Sequence, residues 1–159
     1  MKMQMILLLA VLLSATVSCD KDDEQPYYPV NTANNKYTFQ DKTIAITDAE
    51  YYFADGDTFL FFKGEGVADY VTVIFANRDG EVPIGAYTYH GDRNSGYIVE
   101  GNFWRGNITN ASIPYDWGAD GGSVIITSEP GGMHKVSFVL VTPGDTARGE
   151  YTGVIRPRG

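Results

Sequence analysis

A single cysteine, Cys19, stands in 159 residues, which excludes an intrachain disulfide and a multi-cysteine zinc site. Two histidines, His90 and His134, leave little for a His-ligated metal or a catalytic triad, and there is no Gly-x-Ser-x-Gly elbow to present a serine. Cations are scarce too: 12 Lys and Arg against 20 Asp and Glu give a formal charge of −8. Nucleic-acid binding depends on cationic neutralisation of phosphates, and an electrostatic grip on anionic lipid needs the same charge, so neither is expected. No stretch carries a convincing 3.6-residue apolar period. The unbroken apolar run, Ile6 to Leu13, is far short of the roughly 20 residues of a membrane-spanning helix. What the chain has instead is 18 Gly, 7 Pro, 11 Tyr and 8 Phe, a composition of short strands and tight turns.

The N-terminus reads as an address. Lys2 supplies a positive start, and Ile6 to Leu13 has the length of a signal-peptide core. Thr16-Val17-Ser18-Cys19 then resembles the lipobox of bacterial lipoproteins, in which cleavage before the cysteine is followed by acylation of its sulfur. That family prefers Leu where Thr16 stands. The resemblance implies a signal peptide over residues 1–18 and membrane attachment through acyl chains on Cys19. The plainer alternative is an ordinary signal peptide with a chance cysteine near its cut site. Behind the cysteine, Lys21, Asp22, Asp23 and Glu24 resemble the surface-export signal of Bacteroidota lipoproteins; a solvated acidic linker is the simpler reading of such a run. Residues 19–35, with Pro26, Pro29 and Asn31, lack apolar periodicity and read as a tether.

From Lys36 the pattern alternates with period two, so residues 36–159 read as one all-β domain. Tyr37 and Phe39 alternate, and a turn is expected at Asp41-Lys42. Asp55-Gly56 signals a hairpin before Phe59 to Phe62, which is apolar on both faces. Val71, Val73 and Phe75 share a face, as do Val136, Phe138 and Leu140. Residues 107–122 read as irregular. About nine or ten strands result, mostly in sequential hairpins, and hairpins imply antiparallel pairing in a barrel or a sandwich. The strand Pro83 to Tyr89 and the ending Gly149 to Ile155 are similar to those of small surface lipoproteins of Bacteroidota. That resemblance implies an anchored all-β domain on the cell surface and brings no activity with it.

Asp55-Gly56-Asp57 and Asn77 to Glu81 contain oxygens that calcium favours, but neither reproduces the calcium loop of alternating acids with a distal Glu. Acids at hairpin tips are expected for turn reasons alone, so no metal and no cofactor is expected. Trp104 lies out of phase with Phe103, and Tyr115, Asp116 and Trp117 follow in the stretch read as irregular. Flat rings beside carboxylates suit a sugar patch, and protein interfaces favour them equally. These four residues are the candidate ligand contacts; the simpler reading has both tryptophans packing against the domain. The function expected is a non-enzymatic outer-membrane surface module for extracellular glycan, or for a transporter or other partner protein. A lipocalin-like carrier with an apolar lumen and a hydrolase built on two carboxylates are the alternatives. Asp145-Thr146-Ala147 resembles the Bacteroidota acceptor for O-glycosylation, with Thr146 expected in a loop after Pro143-Gly144.

Overall fold

A computed structural model describes residues 32–66, 68–76, 80–92, 101–110 and 113–159. After a short 3-10 turn at Thr32–Asn34, the chain forms β1 (Lys36–Phe39), β2 (Lys42–Ala54), β3 (Asp57–Gly64), β4 (Tyr70–Ala76) and β5 (Gly85–Tyr89). There follow β6 (Asn102–Phe103), β7 (Arg105–Asn110), β8 (Ile113–Gly118), β9 (Gly121–Glu129), β10 (Met133–Thr142), β11 (Asp145–Gly153) and β12 (Arg156–Pro157). Among the described residues no helix is long and apolar enough to cross a membrane.

All the strands belong to one sheet, curled into a nearly closed barrel. Its ladder runs β6-β5-β9-β10-β11-β1-β2-β3-β4-β7-β8, with β12 beside β2. Every neighbour is antiparallel except β6 on β5 and β12 on β2. The two ends of the ladder meet because neighbouring strands are bent runs of one chain. Trp104 N–H donates to Ile74 O at 3.0 Å, carrying the end of β6 onto β4. Ala119 N–H donates to Gly106 O and Asp120 N–H to Val141 O, so the run from β8 into β9 joins β7 to β10. At that bend Gly122 has φ +130 and lies so close to β10 that a Cβ would sit 2.0 Å from Val139 O.

The inward positions match the period-two reading. Leu60 and Phe62, Val71 and Val73, and Val136 and Leu140 are fully buried. Rings fill the middle: Phe62 stacks on Phe138 at 5.4 Å and tilts against Tyr151 at 5.8 Å, while Phe75 meets Tyr87 edge-on at 4.8 Å. Phe138 lies over Gly149, its register partner, where a Cβ would be 2.2 Å from the ring. Two tyrosine hydroxyls tie the chain locally, Tyr87 to Ile84 O and Tyr151 to Val154 O, each at 2.9 Å.

Several expectations change in detail. The first hairpin turns at Gln40-Asp41 and not at Asp41-Lys42, with φ +50 and +57. Both central residues are left-handed there, as at Asp55 (+54) and Gly56 (+82), which is the hairpin geometry that suits strand twist. Gln40 N–H is held by Asp145 Oδ2 at 2.6 Å, a long-range partner that no local signal announces. The stretch read as irregular is the β7–β8 hairpin. Its register slips between Ile108 and Asn110, and Pro114, which cannot donate, falls within that irregularity. Thr146 is the second residue of β11, paired with Val141, and not in a loop. Pro143-Gly144 alone makes the turn, and Asp145 Oδ1 accepts Thr146 N–H at 2.6 Å. Asn35, read as tether, is only 5% exposed. Its side chain donates to Thr152 O at 3.0 Å and accepts Thr152 N–H at 2.8 Å, copying one rung of a strand ladder.

Candidate functional site

Because β3 alternates, Leu60 and Phe62 point inward while Phe59, Phe61 and Lys63 point outward and are half-buried. The run Phe59 to Phe62, apolar on both faces, is thus divided between core and exterior, and its outer pair belongs to the outside of the barrel. Register places Tyr52 of β2 opposite Phe59 and Tyr70 of β4 opposite Lys63. Tyr52 stacks on Phe59 with centroids 4.5 Å apart and planes within 5°, and on Phe61 at 5.5 Å. Phe61 in turn tilts against Tyr70 at 6.2 Å. Such pairs contribute about 0.5–1.5 kcal/mol each beyond their burial. The result is a row of rings across the outside of β2, β3 and β4.

Ionic groups border the row. Lys63 Nζ lies 2.6 Å from Glu50 Oε2, and Arg156 Nη2 donates to Asp48 Oδ1 at 2.7 Å. That hydrogen bond, with the charge of Asp48, holds the Arg156 guanidinium above its ordinary value. The Arg158 guanidinium lies 5.2 Å above Phe61 and 5.9 Å above Tyr52. Beside Phe61 and Tyr70 is a cleft of about 570 Å³ whose polar edge includes Asp48, Lys63, Glu65 and Arg158. Mixed charge around an apolar floor can hold a polyol or an ionic side chain.

Trp104 stands at the other end of the row. Its backbone is bonded to β4, and its half-buried side chain shares a cleft of about 300 Å³ with Phe59, Ile74, Asp55, Asp57 and Arg105. The indole Nε1 is buried with no hydrogen-bond partner among the described residues. Tyr115, Asp116 and Trp117 are in β8, a strand rather than a loop, and Trp117 is the register partner of Ile108. That is four residues along the strand from Trp104, roughly 13 Å at strand rise; the side chains of Tyr115, Asp116 and Trp117 lie outside the described residues. Sequence reasoning singles out Trp104 here and does not single out Tyr52, Phe59, Phe61, Tyr70 or Arg158. The signal was present in the outward phase of the aromatic run at Phe59 to Phe62.

The remaining expected positions are quickly placed. Cys19, Lys21, Asp22, Asp23 and Glu24 lie outside the described residues, as do Asn77, Arg78 and Asp79 of the run Asn77 to Glu81. Asp55 and Gly56 form a hairpin tip, and among the described residues no group of three or more His, Cys, Asp or Glu side chains is placed to hold a metal. Thr146 is half-buried in β11. Burial holds His134 below its ordinary value, and burial first, with Asp69 second, pushes the Tyr37 hydroxyl far above its own. Neither family models, nor curated proteins, nor solved structures give a match to this chain.

Proposed function

We propose that the chain is an outer-membrane lipoprotein, held by acyl chains on Cys19 and facing the cell exterior. On this reading its barrel is a non-enzymatic binding or accessory module for extracellular glycan or a partner protein. The observation that carries the binding role is the contrast between a barrel interior packed with rings and a second row of rings outside it. A filled interior leaves the exterior as the place to bind, which favours a surface module over a carrier. Aromatic faces meet the C–H faces of sugars and the side chains of proteins, and carboxylates and guanidinium groups at the border supply direction.

The test is a glycan and glycoprotein array screened with residues 26–159, in parallel with Phe61→Ala and Trp104→Ala forms. The expected result is a discrete set of ligands whose binding falls about tenfold or more in at least the Phe61 form, as for a buried aromatic anchor. A blank array, or binding indifferent to both substitutions, would overturn the reading.

A further inference from the structure

Past β11 the chain does not simply end. Ile155 is buried, and Arg156 and Pro157 then run parallel to β2, paired with Glu50 and Tyr51. Arg158 N–H donates to Tyr51 O at 2.7 Å. Residues two apart on a strand face the same side, and here the two arginines reach a matched set of acceptors. Arg156 meets the Asp48 carboxylate at 2.7 Å. Arg158 has its Nε 3.9 Å from Glu50 Oε2 and its guanidinium over the Phe61 and Tyr52 rings.

The hold is shallow. The side chains of Arg156 and Arg158 are 63% and 50% exposed, and only two residues of β12 are in register with β2. Exposed ion pairs contribute little and short edge pairings open readily. Pro157, with no N–H of its own, donates no bond to the ladder.

We infer that the edge of β2, with Asp48, Glu50, Tyr52 and Phe61, is a docking strip for an extended Arg-x-Arg segment of a partner protein, occupied in cis by the chain's own Arg156–Gly159 as a displaceable latch. The argument for that occupant is charge and backbone together. Two carboxylates and two ring faces are spaced for alternate arginines, and the free edge of a strand accepts an added one. A chain of charge −8 also draws basic partners toward it. The inference deepens the partner-protein side of the function proposed above and rests on it for its biological sense.

The probe is a fluorescein-labelled peptide, Ile-Arg-Pro-Arg-Gly, followed by anisotropy against the full chain, the chain ending at Ile155, and the full chain carrying R156A/R158A. A tail tethered in cis competes at roughly millimolar effective concentration. The chain ending at Ile155 should therefore bind saturably, and the intact chain about tenfold or more weaker. R156A/R158A should recover part of the binding, which decides the matter if the shortened chain does not fold. D48N/E50Q in the shortened chain, or the peptide Ile-Ala-Pro-Ala-Gly, should lose it. Equal binding to intact and unlatched chains, or none to either unlatched form while its melting curve stays cooperative, would overturn the strip. So would an intact chain that is a dimer and that R156A/R158A makes monomeric, because a second copy's tail would then be the occupant. A productive array with a silent peptide would remove only the strip, and the reverse only the wider reading.

Discussion

On the side of the barrel made by β9, β10, β11 and β1, the outward positions are held by Thr38, Ser123, Ser137, Arg148 and Glu150, with Ile125 and Val139 among them. On the side made by β2, β3 and β4 they include Tyr52, Phe59, Phe61 and Tyr70, beside Asp48, Glu50 and Lys63. Inside, the two sides are alike, with Phe138 and Leu140 facing Phe62 and Leu60 in one core. The interior thus explains the fold of both sides and distinguishes neither. What separates them is the aromatic row outside β2, β3 and β4, and the binding role proposed above rests on that row.

Substitutions can break this contrast, and the largest effect belongs inside. Phe62→Ala removes a ring stacked between Phe138 and Tyr151 and should lose about 3–5 kcal/mol by chemical denaturation. Gly122→Ala comes next, at about 3 kcal/mol, since its Cβ would collide with Val139 O in a left-handed backbone. Gly144→Ala is the control: φ is +98 but no atom lies within 4 Å, so about 1 kcal/mol is expected.

Alkaline titration probes the interior by another route. Burial, then the charge of Asp48, opposed by that of Arg156, pushes Tyr151 up to about 12. Below pH 10 folded and unfolded chains both keep that proton. Above it the unfolded chain ionises first, so stability falls from pH 10 to about 12, by up to about 2 kcal/mol. Tyr37, shifted the same way, adds to the loss. Denaturation midpoints measured across this window should decline, and less steeply in Tyr151→Phe. A smaller stability change than at Phe62 is expected outside. Phe61→Ala should lose about 1–3 kcal/mol, from its two ring contacts, while array binding collapses. If Phe61→Ala instead melts like Phe62→Ala, the outer row is structural and the contrast between the two faces fails.

Much of the fold was legible because a barrel strand has one buried face. Val136, Phe138 and Leu140 announce that face by alternation, whereas β4 is buried on both faces, with Thr72 and Ile74 between Val71, Val73 and Phe75. Residues 107–122 hid theirs, since Asn, Gly and Pro at bulges resemble loop composition and the pairing of β7 with β4 is non-local. The turn at Gln40-Asp41 was misplaced for the same reason, being fixed by Asp145 from far along the chain. Of the candidate residues, Trp104 stood out by phase. The row through Tyr52 and Phe61 showed only its middle in the sequence, in the phase of Phe59 and Phe61, because it is assembled across three strands and closed by Arg158 near the chain's end.

The paired bonds between Asn35 and Thr152 have a mechanical side. Any load entering through the N-terminal segment reaches this rung before β1 itself. β1 lies between β2 and β11, hydrogen-bonded on both edges. A pull along the strand axis must slide it past two neighbours at once, straining many bonds together instead of peeling them one by one. A pull applied at that end therefore loads β1 in shear, and Asn35→Ala should lower the force at which this first strand gives way.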